Sequence, residues 1–157
     1  DFLWRVHDHT PEKGMIGVFN RSHYEDILIT RVHGWCDDEL AKKRMRAIND
    51  FEYLLEEHNN THILKFYLHI SQKEQHERLA ERIEDPKKMW KYNASDMEES
   101  KLWDKYMSMY EDCFNNCNQP EWIITPADQN WVKEYTVAKA FYDLLKSLDM
   151  KYPQLEK

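Results

Sequence analysis

Three short apolar runs along the chain have the pattern of buried β-strands. They cover residues 15–20, 62–70 and 122–125, with the sequences MIGVFN, HILKFYLHI and WIIT. Short, nearly continuous apolar runs bounded by polar turn residues are typical of strands that are covered on both faces of a sheet. We therefore predict three central strands.

Amphipathic stretches follow each of these runs. The four predicted helices cover residues 37–58, 71–85, 96–116 and 130–148. In the first helix, apolar residues recur at helical spacing, and Asp37 or Asp38 is placed to cap the N-terminus. In the second, Ser71 and Glu74 match the spacing of a capping box, and Asp85–Pro86 predicts the end of the helix.

This order of strands and helices predicts an α/β fold with a parallel sheet sandwiched by helices. Because 157 residues with 41% hydrophobic content are enough for one core, we expect a single domain over residues 1–157. In such sheets, ligands bind beyond the carboxyl ends of the strands. Those ends are residues 20–22, 69–71 and 126–128.

The first strand end has the composition of a phosphate site. It brings an amide, a guanidinium, a hydroxyl and two carboxylates together in the sequence FNRSHYED, from Asn20, Arg21, Ser22, Glu25 and Asp26. An arginine there suits a phosphate clamp, and amide or carboxylate oxygens suit Mg²⁺. An alternative of equal weight is the capped start of a helix whose first turn carries acidic residues.

A basic stretch follows the second strand in an otherwise acidic protein. It contains Lys73, Arg78, Arg82, Lys87, Lys88 and Lys91. Arg78 and Arg82 are four residues apart and share a helix face, as phosphate-binding arginines of a closing lid would. Taken without other information, the pattern favours a solvated helix in which Glu74, Glu77 and Glu81 pair with the basic residues.

Charge and composition exclude several classes of protein. A net charge of −7 argues against a general nucleic-acid-binding protein, which must neutralise many phosphates. The absence of a long apolar run and of a signal-peptide pattern argues against a membrane or secreted protein, so we expect a cytoplasmic one. The odd number of cysteines, Cys36, Cys113 and Cys117, favours reduced thiols.

One motif that a nucleotide kinase would need does not occur in this sequence. No stretch matches G-x-x-x-x-G-K-[ST], and the three glycines, Gly14, Gly17 and Gly34, are not arranged as a phosphate cradle. A phosphate-binding loop of this type is therefore not part of the sequence.

Six blocks of the sequence, in order, resemble successive blocks of family-2 polyphosphate kinases. They are DFLWRVH, GMIGVFNRSHYEDILITRVH, RMRAINDFEYLL, ILKFYLHISQKEQHERLAERIEDPKKMWKYNASD, LWDKYMSMYED and EWIITPADQNW. The resemblance covers almost the whole chain. It implies a P-loop kinase fold related to thymidylate kinase, with a helical lid. It also implies an enzyme that uses inorganic polyphosphate and Mg²⁺ to phosphorylate adenine or guanine nucleoside mono- or diphosphates, or that runs in reverse.

The resemblance also implies roles for individual residues. Asn20 stands where many members have Asp, Arg21 matches the arginine of the same motif, and Glu25 and Asp26 lie beside it near the metal. The lid corresponds to residues 71–95. The predicted catalytic residues are Arg21, Arg78 and Arg82; the predicted phosphate- or nucleotide-binding residues are Ser22, Arg31, Lys87, Lys88 and Lys91; the predicted Mg²⁺ ligands are Asn20, Glu25 and Asp26.

The chain also departs from the family pattern. Ser100 and Asn130 stand where members usually carry basic residues, which leaves fewer basic side chains to bind polyphosphate. The resemblance places the phosphate-binding loop before Asp1. We therefore expect that the chain begins inside its domain and that this fragment alone has little or no activity.

Two other functions stay open at this point. A truncated, non-catalytic paralogue would bind or regulate a full-length partner, and an ordinary nucleotide kinase would use ATP instead of polyphosphate. The family resemblance further implies a homo-oligomer. No motif indicates the preferred nucleotide.

Overall fold

The computed structural model describes residues 1–152. Four-residue helices α1 and α2 precede the long helix α3, and two short 3₁₀ turns occur at His23–Asp26 and Met89–Lys91. The helices are α1 (Trp4–His7), α2 (Ile29–Val32), α3 (Asp38–Asn59), α4 (Gln72–Glu84), α5 (Ser95–Ser100), α6 (Trp103–Asn116) and α7 (Asn130–Ser147); the strands are β1 (Lys65–His69) and β2 (Trp122–Pro126). None of the described helices is long and apolar enough to cross a membrane.

The two strands form a parallel sheet, as the sequence predicts. Lys65 lies opposite Trp122, and His69 lies opposite Pro126. A parallel pair needs a crossover connection, which helices α4, α5 and α6 supply. Both strands therefore end at the same edge, as expected for an α/β fold.

The predicted strand at residues 15–20 is wrong for this structure. The segment contains no strand, and its apolar side chains are exposed, with Val18 90% accessible. Strand formation requires a neighbour that pairs with the backbone, and within residues 1–152 the only paired strands are β1 and β2. The apolar pattern indicated a strand that is covered on both faces, but the described part of the chain offers no such cover.

The single helix predicted for residues 96–116 is divided into α5 and α6. The amide groups of Lys101 and Leu102 donate to the carbonyl groups of Glu98 and Glu99, three residues earlier. Two such bonds interrupt the i→i−4 ladder of an α-helix and turn the chain between the two helices. The other three predicted helices are confirmed, with ends that differ by a residue or two.

The predicted caps of α3 and α4 are present. The Asp37 carboxylate accepts from the Leu40 amide at 2.7 Å, and the Ser71 hydroxyl accepts from the Glu74 amide at 3.2 Å. The capping box of α4 is only half formed, because the Ser71 amide donates instead to Asp128 at 2.7 Å. Each cap satisfies an amide that would otherwise lack a partner, which typically stabilises by about 1 kcal/mol.

The hydrophobic core lies between α3, the loop before α2 and the end of α6. Its members are Leu3, Val6, Tyr24, Ile27, Leu28, Met45, Ile48, Phe51, Cys113 and Cys117. Helix α7 lies against β2 and contributes no fully buried residue. This core includes Tyr24, so it reaches the loop that carries Arg21.

Candidate phosphate-binding site

The loop at residues 20–26 holds Arg21 in an uncommon backbone conformation. Arg21 has φ +76°, in the left-handed region that residues with a Cβ atom rarely adopt. Its side chain is 79% exposed, and its guanidinium lies 3.6 Å from the Glu25 carboxylate. Strained, exposed residues of this kind are concentrated at functional sites.

The carboxylates near Arg21 have different surroundings. The Glu25 side chain is 39% exposed, whereas Asp26 accepts a 3.0 Å hydrogen bond from Arg5. The backbone carbonyl of Asp26 accepts from Arg44 at 2.6 Å and from Thr30 at 2.7 Å. Glu25, paired with Arg21 at 3.6 Å, is therefore held more weakly than Asp26 at the far end of the loop.

Behind this loop lies a buried cluster of charged and polar groups, Tyr24, Glu52 and Lys65. The Tyr24 hydroxyl lies 2.9 and 3.0 Å from the two Glu52 oxygens, and the Lys65 ammonium lies 2.9 Å from the same carboxylate. Lys65 also donates to the Tyr24 hydroxyl at 3.0 Å and to the Cys117 carbonyl at 2.8 Å, so all three ammonium hydrogens have acceptors. Burial and the Glu52 charge raise the pKa of Tyr24, which keeps the phenol protonated.

The carboxyl ends of β1 and β2 meet, as the sequence predicts. The Ala127 amide donates to the His69 carbonyl at 2.8 Å, and Asp128 accepts from the Ser71 amide. That bond lowers the pKa of Asp128 below its usual range. A shallow cavity of about 300 Å³ opens here, lined by His69, Ser71, Pro126, Ala127, Asp128, Gln129 and Val132.

The segment predicted to be a lid, residues 71–95, folds as α4, the second 3₁₀ turn and the start of α5. Arg78 donates to the carbonyls of Ala127 and Asp128 at 2.7 and 3.0 Å, so it contacts the loop after β2. Arg82 pairs with Asp96 of α5. A phosphate that binds either guanidinium has to compete with these partners.

The lysines of residues 71–95 are more exposed. Lys88 pairs with Glu81, and this hydrogen bond raises the pKa of Lys88. The Lys91 ammonium lies 5.1 Å from the centre of the Trp90 ring. The backbone amide of Lys87 donates to Asp85 at 2.9 Å. These three cations lie in and beside the turn after α4, apart from the Arg21 loop in sequence.

Arg31 lies in an ion-pair network. Its guanidinium donates to Asp38 at 2.8 Å and to Asp112 at 2.7 Å, and its side chain is 10% exposed. Burial alone would lower the pKa of Arg31, but these two bonds raise it above the ordinary value. The phosphate-binding role predicted for Arg31 and for Ser22 stays a prediction.

Cys113 lies in α6, and Cys117 caps the C-terminus of that helix. Cys113 and Cys117 are buried as free thiols, and burial raises their pKa to about 12 and about 11. Among residues 1–152, no group of three His, Cys, Asp or Glu side chains could hold a metal ion. The expectation of reduced thiols agrees with this arrangement.

The sequence interpretation missed the Tyr24–Glu52–Lys65 cluster. A signal was available, because Glu52 lies four residues after Ile48 on the buried face of α3 and Lys65 interrupts an apolar run. A charged residue at a core position indicates a buried partner. The sequence alone could not show that Glu52 and Lys65 are partners.

Known proteins resemble the chain in sequence and structure. An AMP/ADP-polyphosphate phosphotransferase from Meiothermus ruber is 42% identical over 99% of this chain and 59% of its own length. An ADP-polyphosphate phosphotransferase from Rhodopseudomonas palustris is 40% identical over 98% of this chain and 58% of its own length. The crystal structure of polyphosphate kinase 2 from Arthrobacter aurescens TC1 superposes with a TM-score of 0.93 at 41% identity, covering all of this chain and 56% of that one.

The chain thus spans a little under three fifths of the length of the curated relatives it matches. A sequence model of the family described as polyphosphate kinase 2 matches residues 1–155. Both the extent of this match and the identity to the curated relatives exceed what a shared fold alone would produce. The chain belongs to the polyphosphate kinase 2 family.

Proposed function

We propose that the protein containing this chain transfers phosphoryl groups between inorganic polyphosphate and nucleoside mono- or diphosphates. The observation that carries the proposal is the 42% identity, over 99% of the chain, to a protein named AMP/ADP-polyphosphate phosphotransferase. The adenine nucleotides AMP and ADP are the acceptors that this relationship favours. We infer that the chain supplies part of the active site.

Arg21 is the proposed stabiliser of the transferred phosphoryl group. In phosphoryl transfer the protein mainly positions the reactants and neutralises the charge that spreads over the equatorial oxygens. A guanidinium suits this role because it is always protonated and donates two parallel hydrogen bonds to phosphate oxygens. The exposed side chain of Arg21 and its single weak ion pair leave those donors available.

The oxygens of Asn20, Glu25 and Asp26 are the proposed ligands of Mg²⁺. A Mg²⁺ ion held by these oxygens would neutralise part of the phosphate charge. Mg²⁺ usually takes only one or two protein carboxylates and completes its shell with water and phosphate, so a sparse donor set fits it. Glu25 is the better candidate of the two carboxylates, because Asp26 is already bonded to Arg5.

The lid arginines are proposed to act after a change of partner. Arg78 contacts the loop after β2 and also pairs with Glu74, whereas Arg82 pairs with Asp96 of α5. A polyphosphate chain that reaches this edge offers Arg78 charged acceptors in place of the two carbonyls, but it has to compete with the Glu74 carboxylate, which Arg78 contacts at 2.7 Å. Closure of residues 71–95 over the phosphates would then exclude water from the transfer.

The test is the substitution Arg21→Ala in the complete gene product, assayed for polyphosphate-dependent formation of ATP from ADP. Loss of one charge-stabilising donor costs roughly 10²–10³-fold in kcat, and we expect a loss of this size. The thermal unfolding midpoint is expected to change little, because the Arg21 side chain makes only an exposed ion pair. The matched control is Lys139→Ala, which removes the exposed i,i+4 partner of Asp143 on α7.

Three outcomes separate the candidate functions. Equal losses of activity and stability in Arg21→Ala would contradict the catalytic role of Arg21. Activity with ATP as donor but not with polyphosphate would identify an ordinary nucleotide kinase. A complete gene product that binds a full-length family member and forms no ATP would support the non-catalytic paralogue.

A further inference from the structure

We propose that Tyr24, held by Glu52 and Lys65, is a positioning residue for Arg21. The inference rests on the proposed function in that Arg21 is the group that is positioned. Tyr24 lies three residues after Arg21, in the 3₁₀ turn His23–Asp26. Its hydroxyl is the point at which the loop is joined to the buried ion pair.

The cluster joins four parts of the fold. Tyr24 belongs to the loop, Glu52 to α3 and Lys65 to β1, and the Cys117 carbonyl that Lys65 contacts follows α6. His23 adds a second contact from the loop, since its Nε2 atom lies 3.1 Å from a Glu52 oxygen. The position of the loop is thereby defined relative to the sheet and to both long helices of the core.

The loop has few other anchors on the Arg21 side. Residues 15–22 are exposed, and within residues 1–152 the backbone bonds next to Arg21 are limited to the Glu25 amide donating to the Ser22 carbonyl at 3.2 Å. The left-handed conformation of Arg21 is unfavourable, so the surrounding structure has to impose it. Tyr24 and His23 are the nearest buried or half-buried residues that follow Arg21 and can do so.

A gain in stability does not by itself explain why the cluster is buried here. A buried ion pair gains little over well-packed apolar residues of the same volume, because desolvation offsets the attraction. The cluster instead fixes a single arrangement of its groups, through three hydrogen bonds from Lys65 and two contacts from the Tyr24 hydroxyl. Small errors in the position of a charge-stabilising group reduce the rate of transfer strongly.

The test is Tyr24→Phe in the complete gene product. This change removes the hydroxyl but keeps the ring, whose centre lies 4.6 Å from that of Trp122. We expect kcat to fall by about tenfold or more, with KM for polyphosphate within about twofold, because the misplaced arginine acts on the transition state. The matched control is Tyr106→Phe, which removes a hydroxyl that donates to the Glu99 carboxylate at 2.9 Å outside the loop.

A double-mutant cycle with Arg21→Ala decides whether Tyr24 acts through Arg21. If it does, Tyr24→Phe changes kcat by less than about twofold once Arg21 is already Ala, since coupled residues are not additive. Additive losses, a tenfold rise in KM with kcat unchanged, or the same loss in Tyr106→Phe would each overturn the proposal.

Hydrogen exchange gives a readout that does not depend on activity. In Tyr24→Phe, the peptide that covers residues 20–26 is expected to exchange faster, while peptides from α3 and β1 keep their protection. If the wild-type protein shows no polyphosphate-dependent activity, the proposed function fails and exchange alone decides. Unchanged exchange at residues 20–26, or equally faster exchange throughout the core, would then refute the positioning role.

Discussion

Removing the ammonium of Lys65 should be among the most destabilising single changes in this chain. In Lys65→Met, the Glu52 carboxylate, whose side chain is 1% exposed, keeps Tyr24 and His23 as partners but loses its only buried lysine. The Cys117 carbonyl also loses a donor, although Trp122 still donates to it at 2.8 Å. Methionine has nearly the same length, so packing is preserved and the change is mainly electrostatic.

The expected loss is set by the uncompensated charge. Breaking a buried ion pair by removing one partner typically costs about 3–5 kcal/mol. For domains of this size each kcal/mol lowers the unfolding midpoint by about 2–4 °C, so Lys65→Met should lower it by roughly 6–20 °C. The assay is thermal unfolding of the complete gene product at neutral pH, followed by circular dichroism.

Two further variants show whether charge is the cause. Lys42→Met removes an exposed lysine of α3 that pairs with Glu39, and it should change stability by less than about 0.5 kcal/mol. Combining Lys65→Met with Glu52→Gln removes both buried charges and should recover much of the loss. A single variant that loses less than about 1 kcal/mol, or a double variant less stable than the single one, would refute the reasoning.

Two other measurements follow from shifted pKa values. Because hydrogen bonding from Ser71 lowers the pKa of Asp128, the ionised carboxylate stabilises the fold above its ordinary pKa of 3.8, and this contribution is lost as pH falls through the lower folded value. The unfolding midpoint of Asp128→Asn should therefore lie below that of the wild type at pH 7 and approach it in acid; a difference that is constant with pH would contradict this. Because burial raises the pKa of Cys113 and Cys117, both thiols should resist iodoacetamide at pH 8 until the protein is unfolded. Mass spectrometry counts the adducts, and rapid labelling of either cysteine in the native protein would be the contrary result.

Local signals were enough for three of the four predicted helices and for the two paired strands. Asp37 and Ser71 have the side chains that cap helices, and each occupies its predicted position. The apolar runs of β1 and β2 identified the two strands and the edge at which their carboxyl ends meet. These features depend on residues close together in the sequence, which is why the pattern predicts them.

Features that depend on distant partners were beyond the sequence pattern. The apolar run at residues 15–20 has the composition of a strand, but a strand exists only where another strand supplies hydrogen bonds. Similarly, Glu52 and Lys65 are separated by a helix end and a loop, and only the folded chain shows that they meet. The family resemblance identified Arg21 as the residue of interest; its left-handed conformation required the structure.

That conformation means that stability and chemistry favour different residues at position 21. Left-handed backbone costs most residues about 1–2 kcal/mol and costs glycine almost nothing. A selection that rewarded only folding would therefore replace Arg21 with glycine or asparagine, whereas the role proposed for Arg21 requires the guanidinium. Arg21 is in this sense a residue that the fold tolerates rather than prefers, and stabilising designs of this protein should leave it unchanged.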